Sequence, residues 1–335
     1  MISALFFTLA LASADYAFVG CQIRTVCCAD VPGGTVVVSD GRIEAVGMNV
    51  AIPSQAEIIR CAPGDVLTPG LIEADTSIGL TEILLEPMSN DAQPSLPDPV
   101  RARLDPRDAL DPRSSLVGAA RHHGITSVVT GPSGGVVEGQ MVWMDLLDGR
   151  GVANAYTEPV AMSAHAGQAG AMAYGQSRLG AFSVLRAFFE DAAWFRRNKT
   201  SFLRNDMYGT GVHRADLEAA QPVVMGKMPL MVEVHRAADI SRTIAWADEE
   251  GIELIIVGAA EGHLVATELA AADVPVIVDA TLNLPVQFEA RQVVTDGPAQ
   301  MEGAGVRVLF ATRSAHNAGN LRFHVGNAVS AGFPA

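Results

Sequence analysis

The chain has 335 residues, of which 49% are hydrophobic, and its formal net charge at pH 7 is −14. A chain of this length can bury a sizeable core, either as one large domain with a small appendage or as two domains. The acidic charge is spread along the sequence, which argues against nucleic-acid binding because phosphate contacts need a basic face. No apolar run reaches the roughly 18 residues that cross a bilayer as a helix, so no transmembrane span is predicted.

The first 14 residues contain an apolar run that ends in Ala12-Ser13-Ala14. Small residues at both ends of such a triplet are typical of a signal-peptide cleavage site, here before Asp15. Residues 1–14 are therefore predicted to be a signal peptide, which implies export to the periplasm or the extracellular space. Met1-Ile2-Ser3, the residues before the apolar run, lack the basic side chain that usually stands at the start of a signal peptide. A buried first strand in a cytoplasmic protein is therefore the alternative.

Four cysteines, Cys21, Cys27, Cys28 and Cys61, lie near the start of the chain. In an exported protein one pair of them can form a disulfide. The alternative is that they are small buried residues. Their number and spacing match no zinc module.

Residues 15–65 alternate short strand patterns with turns and predict a small β subdomain. The segment TVVVSDGRIEAVG, residues 35–47, indicates a hairpin. Two strand-like runs flank Asp40-Gly41, a pair that suits a tight turn with positive φ.

Residues 66–335 alternate short apolar runs with helical patterns, which is typical of parallel sheets. The candidate strands are residues 66–74, 125–130, 136–146, 155–163, 230–235, 254–258, 274–278 and 306–312. The candidate helices are residues 114–124, 237–251 and 261–273. Eight strands favour an α/β fold with a TIM-like (β/α)8 barrel, and a doubly wound open sheet is the alternative.

Residues 86–113 form a long insertion after the first barrel strand. The insertion is rich in proline and aspartate and has no clear periodicity. In a barrel it would lie at the catalytic face as a lid or substrate loop. A solvated irregular loop is the alternative.

Several segments, spread along nearly the whole chain, resemble the amidohydrolase superfamily, near its imidazolonepropionase-like and prolidase-like metal-dependent hydrolases. They include VVVSDGRIEAVG, VLTPGLIEADTSIGL, GITSVVTGPSGG, VPVIVDAT and NLRFHVGNAVSAG. The resemblance implies a (β/α)8 barrel, a small β-sandwich built from both chain ends, and one or two zinc-like divalent metal ions at the barrel mouth. It also implies that metal-activated water hydrolyses a carbon–nitrogen bond, other than a peptide bond, in a small amide, cyclic amide or dipeptide-like substrate.

Most of the metal ligands that the resemblance implies are missing from this sequence. The His-x-His pair of the first strand falls on Asp75 and Ser77, and a neutral hydroxyl is a poor metal ligand. One later histidine is matched by His235, but the next falls on Gly258 and the aspartate of the last strand falls on Arg313. No lysine stands in the middle strands to form a carboxylated bridge. His235 and Asp75 are the candidate metal ligands, and a divalent metal is expected to be absent or weakly bound.

Other side chains are candidates for the barrel mouth, namely Ser77, His165, His263 and Arg313. His165, His263 or His316 could supply a third metal ligand if a loop brings it near. Arg313 could instead form an ion pair with Asp75, which would replace the metal as the charge that holds the site together.

Two functions remain open, a metal-dependent hydrolase and a catalytically inactive barrel with a binding or structural role. The missing ligands favour the second function, and no catalytic residue is assigned. The strands that complete the β-sandwich from the C-terminus in the superfamily are also absent, so the C-terminus looks truncated. We expect a homodimer partner or another chain to cover the exposed sheet edge, and we expect a small-molecule ligand.

Overall fold

A computed structural model describes residues 15–147, 155–203 and 211–335. The chain divides into two compact units, of which one ends at Gly70 and the other spans Leu71–Ala335. The predicted signal peptide, residues 1–14, lies outside the described residues. Among the helices of the described ranges, none has both the length and the apolar character that crossing a bilayer requires.

The first unit contains one five-stranded sheet. Its strands are β1 (Tyr16–Ile23), β2 (Val31–Ser39), β3 (Arg42–Gly47), β4 (Glu57–Arg60) and β5 (Val66–Leu67). Strand β1 pairs antiparallel with β2 and parallel with β4 and β5. Strands β2 and β3 form the predicted hairpin. Asp40 and Gly41 at its turn have φ angles of 49° and 71°, the left-handed conformation that this pair of residues tolerates.

A disulfide joins Cys21 of β1 to Cys61, which follows β4. Cys21 is fully buried and packs with Ile23 and Val36. The other two cysteines, Cys27 and Cys28, are exposed free thiols in the turn between β1 and β2. The first of the two alternatives for the cysteines therefore holds, because Cys21 and Cys61 form a disulfide.

The second unit contains an eight-stranded sheet that curves into a barrel. Its strands are β6 (Leu71–Thr76), β7 (Ile125–Thr130), β8 (Val137–Asp145), β9 (Tyr156–His165), β10 (Leu230–Val234), β11 (Leu254–Gly258), β12 (Val276–Val278) and β13 (Val308–Phe310). The strands neighbour one another in chain order. Next to β13, the backbone N–H of Thr312 donates to Glu73 of β6 at 2.9 Å, which links the two ends of the sheet.

The predicted barrel is confirmed, with one strand reversed. Strand β8 runs antiparallel to both β7 and β9, whereas the other neighbouring pairs are parallel. All eight predicted strands are present. The first is shorter than predicted, because Thr68-Pro69-Gly70 divide the run of residues 66–74 into β5 and β6. Proline has no N–H to donate to a sheet, and the boundary between the two units falls at this break.

The helices are α1 (Ser115–His122), α2 (Gln168–Ala173), α3 (Arg178–Leu203), α4 (Arg214–Ala219), α5 (Gln221–Val224), α6 (Ala237–Glu250), α7 (Ala266–Ala271), α8 (Gly297–Gly303) and α9 (Leu321–Ser330). Helix α1 begins as predicted, with the Ser114 hydroxyl accepting the N–H of Leu116 at 3.2 Å. Helix α6 ends at Gly251, which has a φ of 66° and a conformation that glycine adopts without strain. The 26-residue α3 is not among the predicted helices.

Side chains on the barrel strands alternate between the interior of the barrel and the surrounding helices, as the two-residue period of a strand requires. On β10, Leu230, Val232 and Val234 belong to the core that the helices share. Met231 packs in the barrel interior. Glu233 lies two residues beyond Met231 and therefore faces the interior at the carboxyl end of the strand.

The insertion of residues 86–113 folds back onto the barrel. Ala92, Val100 and Ala102 are buried. The guanidinium of Arg101 donates hydrogen bonds to backbone carbonyl oxygens within the insertion. Gln93 lines the cavity described below, so the insertion lies at the barrel mouth, as predicted.

Candidate functional site at the barrel mouth

A cavity of about 290 Å³ lies at the carboxyl ends of the parallel barrel strands. This is the end at which (β/α)8 barrels carry their sites. The charged and hydroxyl side chains that line it include Asp75, Ser77, Glu138, His165, Glu233 and Arg313.

Arg313, which follows β13, connects two carboxylates at this mouth. Its Nε donates to Oδ2 of Asp75 at 2.9 Å, and its Nη2 donates to Glu233. The three side chains are between 18% and 26% exposed, so both pairs are largely shielded from solvent. Burial lowers the pKa of Arg313, but Glu233 and Asp75 outweigh it and raise the pKa above its usual value. The predicted ion pair between Arg313 and Asp75 is present, and Glu233 joins it.

Glu73 on β6 holds the backbone that carries Arg313. Its carboxylate accepts hydrogen bonds from the N–H and the hydroxyl of Thr312, each at 2.9 Å. The Arg313 N–H also points to this carboxylate, at 3.4 Å, and Arg313 has a φ of 55°, which is uncommon for a residue with a side chain. Glu73 is fully buried, and burial raises its pKa to about 7.

His165, at the end of β9, lies between two carboxylates. Its Nε2 is 2.9 Å from Oε1 of Glu138, and its Nδ1 is 3.3 Å from Oε2 of Glu233. Burial lowers the pKa of His165, but Glu138 and Glu233 outweigh it and raise the pKa to about 9. His165 is therefore an imidazolium at neutral pH. It can donate hydrogen bonds, but it has no free lone pair to take a proton from water.

Glu138 and Glu233 are both fixed by several donors. Glu138 accepts the N–H of Gly134 at 2.6 Å and the hydroxyl of Ser163, besides its contact with His165. Burial alone would raise the pKa of Glu233, but Arg313 and His165 hold it well below its usual range. Glu233 is therefore ionised at neutral pH.

His235 lies beside the cavity and not in its lining. Its Nε2 is 3.1 Å from Oε1 of Glu233, and the residue is only 1% exposed. Its ring lies over Gly258, where an added Cβ would stand 2.4 Å from Cε1 of His235. The ring of His235 therefore occupies the space that a side chain at position 258, where the resemblance implies a histidine, would need.

Four of the predicted mouth residues reach the cavity, namely Asp75, Ser77, His165 and Arg313. His316 also lines it, with Nε2 2.9 Å from the carbonyl oxygen of Glu82. The assignment of Asp75 and His235 as metal ligands stays a prediction. In the structure, Asp75 contacts Arg313 and His235 contacts Glu233.

His263, the remaining mouth candidate, is not among the residues that line the cavity. His263 is on a short 3-10 helix, Gly262–Val265, that follows β11. Its ring lies near Gly297 at the start of α8, where an added Cβ would be 3.7 Å from Nδ1 of His263. Because β11 ends at Gly258 and the chain then turns into this helix, His263 lies near α8 and outside the cavity lining.

Three carboxylates of the site were not predicted, namely Glu73, Glu138 and Glu233. Each interrupts a mostly apolar strand, in LIEADT, VEGQMVWMD and LMVEV respectively. A carboxylate inside a buried strand is uncommon unless it is paired. This interruption is the signal that could have identified them.

The donor atoms at the mouth do not suit a divalent metal ion. The guanidinium of Arg313 is bonded to both Asp75 and Glu233, cannot act as a ligand, and repels a cation. Ser77 offers a neutral hydroxyl, 3.2 Å from that of Thr81. Within residues 15–147, 155–203 and 211–335, no three His, Cys, Asp or Glu side chains are arranged to hold a metal ion. The side chains present therefore do not fit the metal that the resemblance implies.

A larger cavity, of about 720 Å³, lies at the amino ends of β11, β12 and β13. Its lining is mostly apolar and includes Ile244, Leu254, Pro275 and Val308. No histidine, serine or cysteine is among its described lining residues. The smaller, polar cavity is therefore the better candidate for a functional site.

No family model and no curated protein matches the sequence. The structure is nevertheless similar to solved structures. An amidohydrolase from Thermotoga maritima MSB8 matches with a TM-score of 0.83 and 24% identity, over 95% of this chain and 84% of that one. The A. niger ochratoxinase matches with a TM-score of 0.50 and 16% identity, over 96% of this chain and 80% of that one. The chain thus has the amidohydrolase fold, and the resemblance to that superfamily is confirmed at the level of the fold.

Proposed function

We propose that this chain is an amidohydrolase-fold protein whose barrel mouth binds a small polar molecule without a resident metal. The observation that supports this proposal is that the Arg313 guanidinium donates hydrogen bonds to both Asp75 and Glu233. A guanidinium supplies positive charge and hydrogen-bond donors. It does not polarise a bound water as a metal ion does, so it cannot generate hydroxide at neutral pH.

The charges of the cavity limit the kind of ligand. Three carboxylates, Asp75, Glu138 and Glu233, are paired with two cations, Arg313 and His165. A strongly charged ligand would have to displace one of these partners, which leaves a charge unpaired. A neutral molecule with hydroxyl or amide groups can instead bond to Ser77 and to the outer edges of the paired groups. The cavity volume of about 290 Å³ suits a small molecule.

The alternative function is hydrolysis of carbon–nitrogen bonds, other than peptide bonds, in small amides, cyclic amides or dipeptide-like substrates. The fold and the acidic side chains at the mouth favour it. In a metal-dependent form, Asp75 and His235 would be ligands. Asp75 would then have to give up its hydrogen bond with Arg313.

Metal analysis of the purified protein, together with hydrolysis assays, separates the two functions. We expect far less than one divalent ion per chain, and no change in melting temperature on treatment with a chelator. We also expect no release of amine from N-acyl amino acids, cyclic amides or dipeptides. One divalent ion per chain, with turnover that a chelator abolishes and zinc restores, would overturn the proposal in favour of the hydrolase.

Ligand binding is tested by a thermal-shift screen of small neutral polar compounds. A compound that raises the melting temperature of the wild type should lose affinity in Ser77→Ala, because Ser77 lines the cavity. Ser330→Ala, at an exposed position outside the cavity, is the matched control. Equal affinity of both variants would place the compound elsewhere.

Export from the cytoplasm is part of the same proposal. The Ala12-Ser13-Ala14 pattern supports it, and so does the Cys21–Cys61 disulfide, because disulfides persist mainly in oxidising compartments. N-terminal sequencing of protein recovered from each cell fraction should find a mature chain that begins at Asp15. A chain that retains Met1 and stays in the cytosol would contradict export.

We also propose that a second copy or another chain covers the five-stranded sheet. All four residues of β4 are exposed, and Ile43 of β3 is 68% exposed. Light scattering during gel filtration measures the oligomeric state directly. A monomer at every concentration, with no partner recovered alongside it, would count against this proposal.

A further inference from the structure

The turn between β1 and β2 carries two adjacent free thiols. Cys27 and Cys28 are both exposed, and their Sγ atoms are 2.8 Å apart, so that one thiol can donate a hydrogen bond to the other. They lie in the same unit as the Cys21–Cys61 disulfide but take no part in it. The barrel-mouth site does not use them.

The backbone of this turn is held by several contacts. The hydroxyl of Thr25 donates to the carbonyl oxygen of Cys28 at 2.6 Å and accepts the N–H of Cys28 at 3.1 Å. The N–H of Cys27 donates to the carbonyl oxygen of Thr25 at 2.8 Å. Arg24 and Asp30 form an ion pair across the base of the turn. These contacts keep the two thiols side by side while leaving both open to solvent.

The ionisation of one thiol affects the other. The hydrogen bond and the charge of Cys27 raise the pKa of Cys28. Cys28 therefore keeps its proton when Cys27 becomes a thiolate. In thiol–disulfide exchange the thiolate is the attacking species, so one thiol of the pair can attack while its neighbour, still protonated, stands in position to resolve the intermediate.

We propose that Cys27 and Cys28 form a reversible dithiol–disulfide site that exchanges with small-molecule disulfides in solution. The thiolate of one cysteine attacks one sulfur of the small disulfide, whose S–S bond breaks, and the first small thiolate leaves and takes up a proton. The neighbouring cysteine then gives up its proton and attacks the protein sulfur of the mixed disulfide, whose S–S bond breaks in turn. A Cys27–Cys28 bond forms and the second small thiol leaves. The protein loses two hydrogen atoms in total, and the small disulfide is reduced to two thiols.

The adjacency of the two cysteines makes such a bond easy to reverse. Consecutive Cα atoms lie about 3.8 Å apart across a trans peptide, whereas disulfides usually span roughly 4.4–6.8 Å between Cα atoms. A bond between neighbours is therefore strained, and strained or exposed disulfides are the readily reduced ones. The Cys21–Cys61 disulfide spans 5.1 Å between Cα atoms, within the usual range, and Cys21 is fully buried. The two pairs should therefore respond to different redox conditions.

The test uses the full chain, equilibrated in mixtures of reduced and oxidised glutathione with an increasing oxidised fraction. After acid quenching and alkylation, mass spectrometry measures the peptide that contains both cysteines. We expect the two alkylation sites to disappear together, with loss of two hydrogen atoms and no lasting glutathione adduct. The Cys27–Cys28 disulfide should form only in a mixture that is more oxidised than the one needed to keep the Cys21–Cys61 disulfide intact.

Two single variants test whether the neighbouring thiol resolves the mixed disulfide. Cys28→Ser should accumulate glutathione on Cys27, and Cys27→Ser should accumulate it on Cys28, because neither variant keeps a resolving thiol. Both positions are exposed, and circular dichroism together with an intact Cys21–Cys61 disulfide checks that each variant folds. Lasting glutathione adducts on the wild type, a disulfide between two chains, or full alkylation in every mixture would each overturn the proposal.

Discussion

The side chains around Arg313 form a set in which each charge has an opposite partner. Asp75 and Glu233 contact the guanidinium, and His165 lies between Glu233 and Glu138. Removing one member leaves another charge shielded from water and unpaired, which costs more than the pair itself contributes. The stability of the mouth therefore depends on keeping the whole set.

Replacing Arg313 with alanine should lower the free energy of unfolding by about 2–4 kcal/mol. Breaking a fully buried pair costs roughly 3–5 kcal/mol, and the partial exposure of these side chains reduces that figure. Arg307→Ala is the matched control, because the pair of Arg307 with Asp273 is exposed and such pairs contribute less than about 1 kcal/mol. Urea unfolding measures both variants, and equal losses would contradict the role assigned to Arg313.

The raised pKa of Glu73 predicts a pH dependence of stability. Its pKa is about 7 in the folded protein and about 4.3 in an unfolded chain. The folded state thus favours the protonated form. The resulting stabilisation is fully present below pH ~4 and is lost as the pH rises through about 7.

Glu73→Gln, which cannot titrate, should therefore remove part of the fall in the free energy of unfolding between about pH 5 and 7. The difference from the wild type should be at most about 3 kcal/mol. Urea unfolding in a pH series measures it. His165 acts with the same sign at higher pH, as the pH rises through about 9, and is unchanged in the variant. Parallel curves for wild type and variant would refute the assignment.

The sequence alone identified part of this site. Asp75, Ser77 and Arg313 could be predicted because they stand at positions where the resemblance implies ligands, and His165 because an imidazole near the mouth could supply a third metal ligand. Glu233 was missed because its apolar neighbours in LMVEV indicate a buried strand but do not say which carboxylate it pairs with. Such pairing depends on contacts between strands far apart in sequence.

At the level of elements, the apolar runs predicted the barrel strands well. Runs such as LIIVG, residues 254–258, were located without error. The direction of β8 could not be predicted, because a run of alternating residues carries no information on strand polarity. The long helix α3 was missed although Phe188 and Phe189 are fully buried. Its aromatic residues pack against Trp246 of α6, a contact that only the folded chain shows.

Gly258, at the end of β11, has no room for a side chain, so adding one should lower the stability of the protein. Gly258→Ala should destabilise the protein more than Gly124→Ala. Both glycines have a positive φ, 92° and 86°, but only at Gly258 would the new Cβ strike a neighbour, the ring of His235. Backbone strain costs each variant about 1–2 kcal/mol, and displacing His235 should add at least about 1 kcal/mol.

Thermal melts of the two glycine variants give the comparison. A double variant, Gly258→Ala with His235→Ala, should recover part of the loss because the ring is gone. If both glycine variants melt at the same temperature, the contact with His235 does not add to the destabilisation.

At the level of the whole molecule, the two units are stabilised in different ways. The barrel unit has an extensive apolar core. The unit that ends at Gly70 has a small one, around Cys21, Ile23 and Val36, together with a disulfide. Small units with little core often depend on such a covalent link.

Opening the Cys21–Cys61 disulfide should therefore destabilise the five-stranded sheet by about 3–4 kcal/mol, since it closes a loop of some 40 residues. Amide hydrogen exchange of the Cys21→Ala, Cys61→Ala double variant should be faster in β1 and β2, while β10 in the barrel serves as the internal reference. Unchanged exchange in β1 would show that the disulfide adds nothing to the sheet.

Because β8 runs in the reverse direction, it begins at the cavity end of the barrel and finishes at the opposite end. This matters when a position for a label is chosen. Its start, with Glu138, lies at the cavity, and the preceding residues Gly131, Pro132 and Ser133 line the same cavity. Its last residue, Asp145, pairs with Ser127 near the start of β7, at the far end of the barrel. A fluorescent label attached to the exposed Leu147 position should thus leave ligand access unchanged, whereas the same label at Ser133 should block the entrance to the cavity.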